Sequence, residues 1–346
     1  MSLDKFKIGA GHRPFVIAEM SGNHNQSLDR ALAIVEAAAK AGAHALKLQT
    51  YTADTMTLNL AKGEFFIGDK KSPWYGSSLY DLYQKAATPW EWHKPIFKLC
   101  KKLGIIGFST PFDETAVDFL EELKVPFYKI ASFENTDLPL IRKVAKTGKP
   151  IILSTGLATF AELKETVQAA RRAGCRDLVL LKCTSSYPSS PKNSNILTIP
   201  SLRQTFKCQA GISDHTLGLG AAIAAVALGA TVIEKHFTLS RADGGVDAAF
   251  SLEPAELKQL VEESGRAWEA LGKVSYEPTA EEKRSLIYKR SLYVAQDIKA
   301  GETFNKQNLR VIRPGYGLAP KFYDGLLGKK VNRDIKKGTP VRREMI

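Results

Sequence analysis

The sequence has no apolar run approaching the roughly 18 residues that a membrane-spanning helix needs. Its opening stretch, MSLDKFKIGAGHRP, carries no apolar signal core. Cysteine is scarce: Cys100, Cys175, Cys183 and Cys208 are scattered, and none are in CxxC spacing. That argues against a disulfide framework or a cysteine zinc site, and the expectation is reduced thiols in a cytoplasmic protein with no membrane partner. A GxGxxG phosphate fingerprint is also absent, which weighs against a dinucleotide-binding doubly wound sheet.

Acidic residues are short in one region only. The 346-residue chain has a net charge of +13. Residues 281–346 hold 16 Lys/Arg against 7 Asp/Glu, a net of +9, and residues 1–280 hold 33 against 29, a net of +4. An anionic partner is implied: nucleic acid, a phosphorylated metabolite or an acidic protein surface. Binding to nucleic acid would want aromatics among the basic residues, and segment 329–346 has none, so no nucleic-acid partner is expected.

What the chain does have is alternation. Apolar runs occur at 14–19 (PFVIAE), 44–49 (HALKLQ), 105–110 (IIGFST), 126–132 (PFYKIAS), 150–155 (PIILST), 177–183 (DLVLLKC), 208–213 (CQAGIS) and 231–237 (TVIEKHF). Between most of them lie stretches with helical spacing, such as Leu28, Ala31, Leu32 and Val35. Eight strand–helix units in about 270 residues predict a (β/α)₈ TIM barrel.

In such a barrel the site lies at the C-terminal ends of the strands. All eight runs end polar or charged: Glu19; Lys47 and Gln49; Ser109 and Thr110; Lys129 and Ser132; Ser154 and Thr155; Cys183 to Ser186; Ser213 and His215; Glu234 and His236. Strand alternation puts Lys47 with Gln49, Ser213 with His215, and Glu234 with His236 on common faces. A lone histidine is more often a satisfied core residue, and a lone lysine here could reach back to solvent. Eight polar ends with two lysines inside apolar runs point instead to an anion-binding site. Glu234 is expected to orient a neighbour or pair with a lysine. The aromatics Trp74, Tyr75, Tyr80, Tyr83, Trp90 and Trp92 read either as loop packing or as a sugar-facing side.

The expected domains are a barrel over 1–276, a linker over 277–286 and a small, mostly β domain over 287–346. Within the last, DIKAGE (297–302) and DIKKGT (334–339) are an internal echo.

Taken in order, IAEMSGNHNQ, LKLQTY, FSTPFD, FYKIAS, ILSTG, CTSSYP, GISDHT, EKHFTL, KRSLYVAQDIKAGE and RPGYGL resemble segments of the sialic acid synthase family. The resemblance covers nearly the whole chain. It implies a TIM barrel with a C-terminal antifreeze-like (SAF) domain. SGNHNQSLD and SPWYGSSLYDLYQKAATPWEWH look most like the pseudaminic acid synthases of that family. The family condenses phosphoenolpyruvate with an open-chain N-acylated amino sugar and releases phosphate. For the pseudaminic branch the sugar is 2,4-diacetamido-2,4,6-trideoxy-L-altrose; N-acetylneuraminate and legionaminic acid synthases use other sugars.

The resemblance further implies a divalent metal, Mn²⁺ or Mg²⁺, on His215 and His236. Lys47, Lys129, Ser132, Ser154 and Ser213 resemble the phosphoenolpyruvate pocket. Ser185 falls in the phosphate-contacting segment where some members have asparagine, a longer donor. Glu19, Gln49, Glu134, Tyr187 and Asp247 resemble groups that act in the reaction or hold the sugar. Arg313 matches an arginine inserted into the partner subunit's site, which implies a domain-swapped homodimer. Glu19, Glu134 and a metal-bound hydroxide all qualify for activating the attacking water. The rival enzyme class, the 3-deoxy sugar acid synthases on related barrels, lacks the C-terminal domain.

Overall fold

A computed structural model describes residues 2–3, 6–72 and 74–346. Eight parallel strands close into a barrel: β1 (Phe15–Glu19), β2 (Ala45–Thr50), β3 (Ile106–Pro111), β4 (Tyr128–Ile130), β5 (Ile151–Ser154), β6 (Leu178–Cys183), β7 (Gln209–Ser213) and β8 (Val232–His236). β8 pairs with both β7 and β1, which closes the ring. A helix follows each strand: α1 (Leu28–Lys40), α2 (Trp90–Leu103), α3 (Glu114–Glu122), α4 (Leu138–Lys146), α5 (Phe160–Arg172), α6 (Thr198–Phe206), α7 (Gly220–Ala227) and α8 (Pro254–Leu271). The expected TIM barrel is the observed fold. The one long departure from strand–helix rhythm is the connection from β2 to α2, which carries two short helices, Ala53–Met56 and Leu79–Ala86.

Local sequence accounts for these elements. The strands are apolar on both faces because helices cover them outside and side chains fill them inside. α5 starts at a reciprocal capping box: Thr159 accepts from the Glu162 amide, and the Glu162 carboxylate takes the Thr159 amide at 2.7 Å. Gly211 in β7 is required by a close approach, since a Cβ there would stand 2.2 Å from the Val232 carbonyl oxygen.

The barrel interior is layered, and this positions the site. Phe15, Ile17, Ala45, Phe108, Phe127 and Leu181 belong to a buried apolar cluster that fills the lower interior. Phe108 and Phe127 pack with their rings tilted by 39° and centroids 4.1 Å apart, each contributing about 1.5–3 kcal/mol by burial. Two residues further along each strand, the next inward position falls on Glu19, Lys47, Thr110, Lys129, Ser154, Cys183, Ser213 and Glu234. The same alternation that packs the bottom with hydrocarbon therefore builds a polar ring at the top.

The first compact unit ends at Gly272, and a second spans Lys273–Ile346. Within the segment expected to be a linker, Ala280–Arg284 forms a short helix capped by Thr279 and Glu282. In the second unit β9 (Ser291–Val294) pairs antiparallel with β10 (Leu309–Ile312) over a core including Leu292, Ile298, Phe304 and Ile335. The two echoed hexapeptides pair with each other: Ile298 bridges Ile335, and crossed ion pairs join Asp297 to Lys336 at 2.7 Å and Lys299 to Asp334 at 2.9 Å. Among the described residues, no helix is long and apolar enough to cross a membrane.

Candidate active site

One cavity of about 470 Å³ opens at the C-terminal ends of the strands. Thirteen of the residues expected to bind substrate or metal line it: Glu19, Lys47, Gln49, Lys129, Ser132, Glu134, Ser154, Ser185, Tyr187, Ser213, His215, His236 and Asp247. Arg313 lies exposed in the second unit, just after β10.

The floor is a buried charge network. Lys47 Nζ lies 2.8 Å from Glu19 Oε2 and 2.9 Å from Glu234 Oε1. Lys129 Nζ lies 3.7 Å from the same Glu234 oxygen and donates to Ser154 Oγ at 2.6 Å. Ser213 Oγ donates to Glu234 Oε1 at 3.1 Å. Both lysines are almost fully buried, at 4% and 1% exposure, so neither extends to solvent. Glu234 pairs with lysine, as its position in the sequence suggests. Burial lowers Lys47 to about 8, against the pull of Glu234. Burial would raise Glu234, but Lys129 and Lys47 hold it at about 2.

Glu19 accepts from the Ser21 amide at 3.0 Å and from Gln49 Nε2 at 3.3 Å. Glu134, on the loop after β4, is different. Burial dominates, partly offset by Lys129, and pushes its carboxyl up to about 7. Glu134 Oε2 and Ser132 Oγ are buried without hydrogen-bond partners, so both remain available to a bound molecule.

The histidines face each other with ring centroids 5.3 Å apart. His215 Nδ1 is 3.0 Å from the Thr184 carbonyl oxygen. The nitrogen must be the donor there, which assigns the lone pair to Nε2. His236 Nδ1 is buried with no hydrogen-bond partner. Burial, then the charges of His215 and Lys47, hold His236 well below the usual histidine value. His236 thus offers a neutral nitrogen of the kind a divalent cation takes. Burial would lower His215, but Cys183 and the Thr184 carbonyl raise it above the usual value, so its Nε2 becomes a ligand once the ring gives up its proton. Among the described residues no third His, Cys, Asp or Glu completes a metal cluster with them. The donor set therefore fits a cation that fills its shell with water and substrate oxygens.

Tyr187 packs 4.4 Å from the His215 ring and 6.0 Å from Trp74. The Trp74 indole donates to the Val246 carbonyl at 2.9 Å, pinning the β2–α2 connection to the loop after β8. The aromatic series thus splits. Trp74 and Tyr83 line the cavity, whereas Trp90 packs on Phe119 and Trp92 on His24.

Sequence reasoning passed over several residues. Ser21 Oγ hydrogen-bonds Asp247 Oδ2. Asn135 Nδ2 donates to the carbonyls of Ser154 and Gly156 at 3.2 and 2.8 Å, tying the β4 and β5 loops together. Gly156 has no room for a side chain, since a Cβ would lie 2.3 Å from Ser185 Oγ and 2.6 Å from Ser132 Oγ. Cys183, already read as a strand end, has its Sγ 3.9 Å from His215 Nδ1. Lys235, facing outward beside His236, is saturated by Asp214 Oδ2 at 2.8 Å and the carbonyls of Thr216 and Gly218. The available signal was adjacency: Ser21, Gly156 and Lys235 lie within two residues of a strand-end group, and Asn135 follows Glu134.

The NeuB family model matches residues 34–276, and the SAF domain model matches residues 289–346. The chain is 45% identical to pseudaminic acid synthase of Campylobacter jejuni (serotype O:2) over 329 residues, 95% of each chain. It is 44% identical to pseudaminic acid synthase of Helicobacter pylori, over 96% of this chain and 98% of that one. Among solved structures, N-acetylneuraminic acid (sialic acid) synthetase from Leptospira borgpetersenii in complex with citrate superposes with a TM-score of 0.73 at 33% identity. That match covers 83% of this chain and 95% of the other.

Proposed function

Because the chain belongs to the NeuB family, we propose that it is a transferase condensing phosphoenolpyruvate with 2,4-diacetamido-2,4,6-trideoxy-L-altrose to give pseudaminic acid and phosphate. The observation that carries this reading is the pair of buried lysines, Lys47 and Lys129, opening on one cavity with His215 and His236. Two ammonium groups and the hydroxyls of Ser132, Ser154, Ser185 and Ser213 suit a small anion carrying carboxylate and phosphate. The identity to two pseudaminic acid synthases supports the choice of sugar.

The chemistry follows from the geometry. The lysines hold phosphoenolpyruvate so that its C3 faces the sugar aldehyde, and a C–C bond forms as the aldehyde oxygen takes a proton. Glu134, with its carboxyl near pH 7, is matched to supply that proton and, once ionised, to accept one from the water that adds to C2. The resulting tetrahedral carbon expels phosphate, leaving a ketone. Glu19 and Glu234, tied to Lys47, hold the lysines in place. Gln49, Tyr187 and Asp247 line the sugar's side of the cavity. A manganese or magnesium ion held by His215 and His236 would supply Lewis-acid polarisation of the aldehyde.

The chain acts in the cytoplasm as a homodimer. Residues 277–286 link the barrel to a SAF domain whose Arg313 enters the partner's cavity, and the basic excess of that region adds positive potential over the anion site. The test is phosphate release from phosphoenolpyruvate with 2,4-diacetamido-2,4,6-trideoxy-L-altrose. Turnover with this sugar is expected, and turnover only with N-acetylmannosamine would reassign the substrate.

A further inference from the structure

The cavity is chemically two-sided. Its floor carries the lysines and carboxylates, whereas the β2–α2 connection contributes Met56, Ile67, Leu79 and Leu82, joined by Phe112 from the loop after β3. These five are half-buried, with apolar side chains facing a space that ligand could fill. Three polar-tipped side chains of the connection line the same cavity, Tyr51, Trp74 and Tyr83. The Trp74 indole N–H is already committed to Val246. Tyr83 is braced edge-on by Tyr51, which also packs on Phe112, 5.9 and 5.0 Å between centroids. The connection leaves β2 at its C-terminal end, so this apolar wall rises from the mouth where the polar ring ends.

We infer that this wall reads the C6 end of the sugar and selects a 6-deoxy hexose, whose methyl group lodges among Met56, Ile67, Leu79 and Leu82. The inference rests on the proposed condensation. The aldehyde carbon, C1, has to meet phosphoenolpyruvate at the lysines and histidines, and C6 is the opposite end of the open chain. A methyl group against this wall leaves water for hydrocarbon. A hydroxymethyl group would lose its hydration and gain no partner among the side chains of Met56, Ile67, Leu79 and Leu82, none of which carries nitrogen or oxygen. Apolar pockets discriminate against one added hydroxyl by about 100-fold.

The experiment uses the full chain at saturating phosphoenolpyruvate. It compares kcat/KM for 2,4-diacetamido-2,4,6-trideoxy-L-altrose with that for its 6-hydroxy counterpart. The wild type is expected to favour the deoxy sugar by about 100-fold. Leu82→Asn and, separately, Met56→Gln should cut that ratio to about 10-fold or less by raising KM for the deoxy sugar, with KM for phosphoenolpyruvate unchanged. Thermal melts identify folded variants, and two positions on different helices guard against loss of either one. Equal turnover of both sugars by the wild type, or an unchanged ratio in the folded variants, overturns the inference alone. Phosphate release from neither sugar overturns the condensation reading and this inference with it.

Discussion

The ammonium of Lys47 lies 2.9 Å from Oε1 of Glu234, and both side chains are buried at the top of the barrel. Glu19 and Lys129 complete the network, so two positive and two negative charges balance before any anion arrives. Glu19 and Glu234 hold the lysines in position, and the lysines in turn keep Glu234 ionised.

This interdependence is measurable. Glu234→Leu leaves Lys47 and Lys129 short of a buried partner, a loss of about 3–5 kcal/mol in unfolding free energy. Lys47→Met should also destabilise, and the double variant should recover about 1–3 kcal/mol relative to the sum. Urea unfolding followed by tryptophan fluorescence gives all three values. Strict additivity would mean that the two side chains do not depend on each other.

Glu134 sets the pH response. Its carboxyl is raised to about 7 by burial, partly offset by Lys129. In the proposed mechanism the protonated form donates first, so kcat/KM should fall as pH rises through about 7. Glu134→Gln should lower kcat by roughly 100- to 10,000-fold and erase that limb. If the limb near pH 7 survives in this variant, the titrating group is another one.

Three histidines away from the cavity floor govern acid stability. Burial lowers His24, His44 and His93 to about 4 each. His93 Nε2 contacts Thr50 Oγ1 at 2.7 Å, and His44 Nδ1 accepts from the Val16 amide at 2.8 Å. The unfolded chain binds these protons near pH 6.5 and the folded chain only near 4, so the unfolded state holds more protons in between. Stability is therefore greatest above 6.5 and declines as pH drops towards 4, by about 1.4 kcal/mol per pH unit per histidine. Denaturant midpoints at pH 7 and pH 5 check this, and His93→Gln should remove its share of the slope. Equal midpoints would refute the assignment.

The proposed exchange of SAF domains predicts complementation. Arg313→Ala and Glu134→Ala chains, each nearly inactive alone, should regain activity when mixed and allowed to exchange subunits. One chain then supplies an intact barrel and the other an intact Arg313. Mass spectrometry establishes that heterodimers have formed. Heterodimers without activity would assign each Arg313 to its own barrel.

The sequence by itself determined the barrel and the chemical character of its mouth. Eight apolar runs spaced by helical stretches identify the strands, and period-two alternation identifies which terminal side chains share a face: Lys47 with Gln49, Ser213 with His215, Glu234 with His236. Those are local properties, carried by residues two apart. The echo at Ile298 and Ile335 was equally visible, although only the structure pairs its two copies through crossed ion pairs.

Convergence was decided by tertiary structure. Ser21 and Asp247 are 226 residues apart, and nothing local in either segment indicates that closure of β8 onto β1 brings them into hydrogen-bond contact. The apolar wall of Met56, Ile67, Leu79 and Leu82 was hidden for the same reason. The connection that carries it has no single period, and its face towards the cavity is defined only by what it covers. Nor could Asn135 be distinguished from any other loop asparagine until the Ser154 and Gly156 carbonyls came within its reach. Alternation is written into consecutive peptide units, whereas contact between distant loops depends on how the whole ring closes.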